Sequence, residues 1–218
     1  MSEIELPPGI ALNDPRPIAA SARYTYEMPF AEEIEALEPE DGVKAIFRET
    51  AGGREFDAER MWVTIERIED GFVVGKLDND PFDMPSMKAG DPVRLPLTHV
   101  IAVTFKAGKA WPDTPYRRTY WERCLVDACV VEGRSYADYI YREVPEMAED
   151  GDKYPDSGWR IRGSEEMIEE DKRLDKGPLY IAVGKVLNAD DRWLHLIDEG
   201  VGTAFQWDAA RSDYVKLE

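Results

Sequence analysis

The side chains that could act as nucleophiles, general bases or metal ligands are few: two histidines, His99 and His195, and two cysteines, Cys124 and Cys129. A catalytic triad needs a histidine beside a nucleophile and a third group that orients the histidine. His99 follows an apolar stretch and His195 lies between two leucines, and neither belongs to a motif that activates a nucleophile. We therefore predict no catalytic residue and interpret both histidines as structural or surface residues.

The cysteines do not form a metal-binding pattern. Structural zinc takes four nitrogen or sulfur ligands, whereas Cys124 and Cys129 have four residues between them, no second cysteine pair and no nearby histidine. Their apolar surroundings favour reduced core thiols over a disulfide. Asp78-Asn79-Asp80 resembles part of a calcium loop but lacks the glycine and the final glutamate, which indicates a turn. We predict no metal.

Two further patterns are too common to indicate a site. With 45 Asp and Glu residues in the chain, a pair of carboxylates at any given spacing is expected by chance. Gly200-Val201-Gly202 is followed by an apolar strand pattern and not by a helix start, so it predicts a tight turn and not a phosphate loop. We predict no cofactor.

Trp159 and Arg160 form the one local pairing for which we predict a binding role. A large flat side chain beside a planar cation is typical of the residues that dominate protein interfaces. The alternative is a structural corner, in which Trp159 fills the core and Arg160 pairs with a local acid. Both alternatives stay open from the sequence.

The amino-acid composition and the net charge indicate what class of protein this is. The chain has 218 residues, 43% of them hydrophobic, and 27 Lys and Arg against 45 Asp and Glu give a net charge of −18. This is a globular composition, and the charge disfavours nucleic acids and anionic membranes. The N-terminus lacks the pattern of a secretory signal, and no stretch approaches the roughly 20 apolar residues of a membrane span. We expect a bacterial-type cytoplasmic protein.

The first half of the chain carries strand patterns after a short helix. Helical spacing of apolar residues over Phe30 to Leu37 predicts the helix, and strict alternation from Met61 predicts a half-buried strand. Glu69-Asp70-Gly71 then predicts a hairpin turn. Further strands are predicted at Val43 to Phe47, Phe72 to Leu77, Val93 to Leu97 and Val100 to Phe105. A Gly52-Gly53 loop should follow the first of these. Pro96 places the Val93 to Leu97 strand at a sheet edge, and the Val100 to Phe105 strand can pair beside it.

The second half mixes strands with short helices. We predict a buried strand over Leu125 to Val131 and a helix that begins after Ser164. Other predicted elements are strands at Tyr139 to Val144, Trp159 to Ile161, Leu179 to Val183, Leu194 to Ile197 and Thr203 to Trp207, an acidic loop at Glu146 to Pro155, and one helical turn at Lys185 to Ala189.

Lys106 to Tyr116 is rich in glycine and proline and predicts a linker. The expected fold class is α+β with two small strand-rich modules: an antiparallel curled sheet or small barrel, followed by an antiparallel sheet with short helices. The expected divisions are an extended N-terminal lead-in at 1–26, a strand-rich module at 27–107 and an α+β module at 117–218.

Both modules resemble bacterial families. The second resembles the immunity proteins of polymorphic toxin systems, type thirty-three, over roughly Ala128 to Asp208. The resemblance rests on Tyr141-Arg142-Glu143 with Pro145, Ser157-Gly158-Trp159-Arg160, Gly163 with Glu165, and Leu196-Ile197-Asp198 before Gly202-Thr203-Ala204-Phe205. The first is similar to a family of unknown function through Glu59-Arg60-Met61-Trp62-Val63, Leu77-Asp78-Asn79-Asp80-Pro81 and Gly90-Asp91-Pro92-Val93.

The immunity-protein resemblance implies a protein that binds and neutralises a toxin without catalysis. We therefore expect a protein partner, and the acidic surface favours a basic toxin. Two alternatives remain: a small-molecule-binding or enzymatic module that uses a cleft between the two modules, and a structural or oligomeric protein that exposes a sheet edge.

Overall fold

A computed structural model describes residues 6–50, 55–147 and 151–218. The predicted Gly52-Gly53 loop, the end of the N-terminal lead-in at residues 1–5 and the centre of the predicted acidic loop at 148–150 lie outside the described residues. The chain forms two compact units: residues 1–21 with 26–117, and residues 22–25 with 118–218. None of the helices in the described part combines the length and the apolarity that a membrane span requires.

The first unit is built mainly from strands. Its described elements are β1 Ile10–Leu12, α1 Arg16–Ser21, α2 Ala31–Glu35, β2 Gly42–Glu49, β3 Ala58–Glu69, β4 Phe72–Leu77, β5 Pro92–Pro96, a 3₁₀ helix at Leu97–His99, and β6 Ala102–Thr104.

These strands form one antiparallel sheet in the order β1-β2-β3-β4-β5, with β6 also paired to β2. β5 and β6 lie toward opposite edges, and only residues 97–101 join them, three of which are in the 3₁₀ helix. Strands lie about 4.8 Å apart, so four steps across a flat sheet would cover about 19 Å. The chain from Pro96 to Ala102 can span only about 16 Å, because it rises about 2.0 Å per residue in the 3₁₀ helix and about 3.3 Å per residue in the extended part. The sheet therefore curls, which confirms the predicted curled antiparallel sheet.

The tightest connection of this sheet is the predicted hairpin. Asp70 and Gly71 have φ angles of 50° and 79° and join β3 to β4. Positive φ at both loop residues is the geometry that matches the right-handed twist of the strands. The alternation of Met61, Val63 and Ile65 places all three in the core of the unit, as the period-two pattern predicts.

The second unit mixes strands and short helices. Its described elements are β7 Arg123–Val126, α3 Ala128–Val131, β8 Tyr139–Arg142, β9 Asp156–Arg162, α4 Glu165–Arg173, β10 Leu179–Ala182, α5 Val183–Ala189, a 3₁₀ helix at Leu194–Leu196, β11 Ala204–Asp208 and β12 Asp213–Lys216.

The second sheet has the strand order β10-β7-β9-β8-β11-β12. The predicted α+β class with two strand-rich modules is confirmed. One pairing departs from the predicted antiparallel sheet, because β7 and β9 run parallel. Parallel neighbours need a long crossover, and residues 127–155 provide it.

The core of the second unit lies on one face of this sheet. Strand residues such as Ile140 and Ile161 pack there against Val186 and Leu187 of α5. Both predicted core thiols, Cys124 and Cys129, are buried.

Residues 22–25 complete this unit although they are far away in sequence. The backbone N of Tyr24 donates a hydrogen bond to Asn188 Oδ1 at 2.9 Å, and Asn188 Nδ2 donates one to Thr25 Oγ1 at 2.7 Å. Tyr24 Oη donates to Asp191 Oδ2 at 2.6 Å. Gly184 admits the segment, since a Cβ there would lie 2.6 Å from the Tyr24 carbonyl oxygen.

Three predicted strands were wrong in extent or partner. The mainly apolar run Leu125 to Val131 is split at Asp127 into β7 and α3. Its apolar residues have no period that separates a strand from a buried helix, so the prediction extended the strand too far. Leu194 to Ile197 forms a 3₁₀ turn. β6, within the predicted strand Val100 to Phe105, pairs with β2 and not with β5.

Two helical regions also differ from the prediction. The expected extended lead-in contains β1 and α1, where Pro17 fits the first helical turn because its missing N–H has no partner there in any case. α5 is longer than the one turn predicted, since it begins directly after β10. The helices predicted after Phe30 and Ser164 are confirmed as α2 and α4.

Candidate functional site

Trp159 and Arg160 lie on opposite faces of the second sheet, because successive residues of a strand alternate. Trp159 is 1% exposed and packs in the core, with its ring centroid 5.5 Å from that of Trp193. Its Nε1 donates a long hydrogen bond of 3.4 Å to the Ile197 carbonyl oxygen. It is a core residue.

Arg160 is 3% exposed and its guanidinium is held by two acids. Nη1 and Nη2 donate to the two carboxylate oxygens of Asp156 at 3.0 and 2.9 Å, and Nε donates to Glu143 Oε2 at 2.9 Å. These hydrogen bonds raise the pKa of Arg160. Burial acts to raise the pKa of Asp156, but the hydrogen bonds from Arg160 and from the Gly158 backbone outweigh it, so the pKa of Asp156 is lowered. The pair is ionised at neutral pH.

This geometry is that of the structural corner, the second of the two alternatives that the sequence left open. A buried residue is not an exposed anchor, so neither side chain presents a ready contact surface. Direct partner binding by Trp159 and Arg160 stays a prediction.

Arg142 forms hydrogen bonds with residues in or next to the other sequence motifs of this unit. Its Nε donates to the Ser157 carbonyl oxygen at 3.0 Å and its Nη1 donates to the Glu199 carbonyl oxygen at 2.6 Å. Its guanidinium carbon also lies 5.5 Å from the centre of the Trp159 ring. The backbone of Gly202 donates to the Arg142 carbonyl oxygen at 2.7 Å. Motifs 60 residues apart in sequence thus form one corner of the sheet.

Gly158 is required at this corner for two reasons, and a substitution tests them. Its φ is 79°, and a Cβ would lie 2.2 Å from the Glu143 carbonyl oxygen. We expect Gly158→Ala to lower the free energy of unfolding by about 2–4 kcal/mol, from left-handed strain plus the clash. Gly202 has φ 88° with nothing within 4 Å of a Cβ, so Gly202→Ala should lose only about 1 kcal/mol. Equal losses in urea unfolding of the two variants would contradict the clash.

The sheet face opposite the core carries tyrosines and arginines and is left uncovered by α3 and α5. One row across the strands pairs Tyr180 with Leu125, Leu125 with Arg160, and Arg160 with Tyr141. The next row pairs Tyr139 with Arg162. All of these residues except Arg160 are half-buried.

Two of the tyrosines form a stack on this face. The rings of Tyr139 and Tyr141 lie 5.3 Å apart, centre to centre, with 25° between their planes. Tyrosine and arginine are the residues that contribute most to protein interfaces, and Tyr loses little side-chain entropy on binding. We refer to Leu125, Tyr139, Tyr141, Arg160, Arg162 and Tyr180 as the tyrosine face. It is the candidate site.

The sequence contained a signal for this face. In Tyr139-Ile140-Tyr141, the central residue is fully buried and its neighbours point the other way. The alternation was used to predict a strand, and the pair of tyrosines on its second face was missed. The remaining members come from strands whose order the sequence does not specify.

The two cysteines are buried, and the two histidines have polar neighbours at or near the surface. Burial raises the pKa of the Cys124 and Cys129 thiols to about 12, which keeps both protonated and unreactive. His195 Nε2 lies 3.2 Å from an Asp213 carboxylate oxygen at the surface, and His99 Nδ1 lies 3.1 Å from Thr98 Oγ1. Within residues 6–50, 55–147 and 151–218, no group of three or more His, Cys, Asp or Glu residues is placed to hold a metal ion.

Comparison with known families confirms both resemblances. Residues 124–218 match the family described as Immunity protein Imm33 domain. Residues 20–109 match the family described as Uncharacterized protein conserved in bacteria (DUF2314). Each match covers less than half of the chain. Searches of curated proteins and of solved structures found no match.

Proposed function

Since residues 124–218 match an immunity-protein family, we propose that this chain is a non-enzymatic protein that binds and neutralises a bacterial toxin. The tyrosine face is the observation that carries the proposal. It lies wholly within the matched residues. The core residues of α3 and α5 pack on the other face of the sheet, and α4 borders the tyrosine face at one side. The toxin is the partner that this face binds.

The chemistry of the face suits a protein partner. Tyr139, Tyr141 and Tyr180 supply flat, amphipathic contact area, and Arg162, which is paired with Asp127, has a side chain that is 42% exposed. The burial of Arg160 with Asp156 stiffens the centre of the face. A surface that is already ordered loses less entropy when it binds.

The charge of the chain contributes to the rate of binding. A net charge of −18 attracts a basic toxin over distances of about 10 Å at ordinary salt. Association with such a toxin should slow as salt is raised, because the attraction is screened. We place this encounter in the cytoplasm, where a protein of this class would meet the toxin.

Growth rescue and binding together test the proposal. We expect a toxin gene beside this one; its product should arrest growth when expressed alone, and co-expression of the full chain should restore growth. Tyr139→Ala with Tyr141→Ala should weaken toxin binding about 30-fold, or about 2 kcal/mol, by isothermal titration of the folded variant, in which loss of the ring stack lowers stability by about 1 kcal/mol. A matched control is Tyr116→Ala, which removes a tyrosine that is 90% exposed in the first unit and should bind normally.

Two results would contradict the proposal. The first is that the full chain fails to restore growth with the neighbouring toxin. The second is that the double tyrosine variant and the Tyr116 control bind the toxin equally well.

A further inference from the structure

A cavity of about 240 Å³ opens on the tyrosine face, and four of the six residues of that face line it: Leu125, Tyr141, Arg160 and Arg162. β7 and β9 form one wall, and α4 with the loop Gly177-Pro178 forms another. Leu125, Ile168 and Pro178 give it an apolar lining. The cavity is therefore a partly apolar recess on the tyrosine face.

The charges around this recess are opposite in sign to the chain as a whole. Four cations and two acids line it, in a chain of net charge −18: Arg160, Arg162, Lys172 and Lys176 against Asp127 and Asp171. Arg160 is paired with Asp156 and Arg162 with Asp127, so Lys172 and Lys176 are the cations that can meet a ligand. Charge complementarity therefore points to an anionic group as the occupant.

The two lysines can turn toward an incoming anion. Lys172 Nζ lies 2.6 Å from Glu169 Oε1, and Lys176 Nζ lies 2.6 Å from Glu132 Oε2. Both pairs are solvent-exposed, and such pairs contribute little to stability. Exchanging one carboxylate for another costs these lysines little.

The volume favours a side chain over a metabolite. Small-molecule sites usually measure about 300–1,000 Å³, and this cavity holds the volume of about eight waters. One acidic residue with part of an apolar neighbour fits that space.

We propose that this recess seats a carboxylate side chain of the toxin, carried beside an apolar residue. The inference rests on the proposed function and deepens it. The apolar residue contacts Leu125, Ile168 and Pro178, and the carboxylate is bound by Lys172 and Lys176. A toxin that is basic as a whole is compatible with this, because the recess selects one residue and not the net charge.

A peptide titration of the full chain tests the site without any toxin. The probe is acetyl-Leu-Glu-Leu-amide, and the matched probe is acetyl-Leu-Gln-Leu-amide. In ¹⁵N NMR spectra we expect the first probe to shift the backbone amides of Leu125, Ile161 and Gly177 with a Kd of about 1 mM. The glutamine probe should bind about fivefold more weakly, since it carries no charge.

A variant pair separates charge from surface effects. Lys172→Gln with Lys176→Gln should weaken binding of the glutamate probe about tenfold and weaken toxin binding as well. Lys185→Gln alters an exposed lysine on α5 and should leave both unchanged.

Three outcomes would overturn the assignment: equal binding of the two peptides, shifts confined to other residues, or no shift at the cavity up to about 10 mM peptide. Because the titration contains no toxin, each of these outcomes contradicts only the binding site in the recess and not the proposed function. If the peptide binds as expected but the full chain fails to restore growth, the proposed function is contradicted instead.

Discussion

Trp159→Ala should lower the free energy of unfolding of the second unit by about 3–5 kcal/mol, the usual cost of deleting a large buried aromatic side chain. Trp159 is almost fully buried between the sheet and the helices, and its indole packs on Trp193. The substitution removes both the apolar contact area and the ring that faces the Arg142 guanidinium. Denaturant unfolding followed by circular dichroism measures the loss, and hydrogen exchange assigns it to residues 118–218.

The matched control is Trp111→Ala, because Trp111 is 59% exposed. Its edge-to-face contact with Phe105, at 4.8 Å between ring centres, should contribute about 1 kcal/mol or less. If Trp159→Ala unfolds like this control and loses toxin binding, Trp159 is an accessible anchor, and the assignment of the motif to a structural corner is wrong.

Arg160→Met should also cost about 3–5 kcal/mol at neutral pH, because it leaves the Asp156 carboxylate buried without its cation. Asp156 would keep hydrogen bonds from the backbone of Gly158, Glu146 and Met147. These partly offset the loss, so we expect the lower end of the range. Arg211→Met, which removes an exposed partner of Asp208, is the control and should change stability by less than about 0.5 kcal/mol.

The effect of Arg160→Met should depend on pH in a defined direction. In the native chain the lowered pKa of Asp156 adds stability above the unfolded value of about 3.9, and this contribution is lost as the pH falls through the folded value. Without Arg160, burial raises the pKa of Asp156 instead. The variant's deficit should then shrink as the pH falls from 7 toward 4, because the acid becomes neutral.

A second substitution isolates the buried charge. Arg160→Met with Asp156→Asn keeps a hydrogen-bond acceptor for the Gly158 backbone but removes the unpaired charge. We expect it to recover about 1–2 kcal/mol relative to Arg160→Met alone at pH 7. A double variant less stable than the single one would show that the carboxylate acts mainly as a backbone acceptor.

Much of the fold was predictable where the pattern has a period. The alternation at Met61, Val63 and Ile65 placed three core residues correctly, and Asp70-Gly71 marked a hairpin because only certain residues adopt positive φ. Leu125 to Val131 was not predictable in this way, since every residue but Asp127 and the small Ala128 is strongly apolar. The parallel pairing of β7 with β9 depends on a crossover, which leaves no local signal.

The candidate site was predictable only in part. The motif Ser157-Gly158-Trp159-Arg160 was identified from the sequence, but the structure explains it by packing. Gly158 lets the backbone of Glu143 come close, and Arg160 forms a buried ion pair with Asp156. The cationic recess combines side chains from β9, α4 and the loop after it. Only the tertiary fold shows that these cations line one space, because Lys172 and Lys176 of the α4 region lie ten or more residues from Arg162 and each follows an acid directly.

The placement of residues 22–25 in the second unit has a consequence for how such a gene can be recombined. These residues lie inside the segment that matches the DUF2314 family, yet they pack around Gly184 and Asn188 of the other unit. A coding segment for 118–218 moved into another gene would leave behind the strip that hydrogen-bonds to α5. A segment of 118–218 alone therefore lacks part of the second unit, and a transplanted second unit must supply a replacement for residues 22–25.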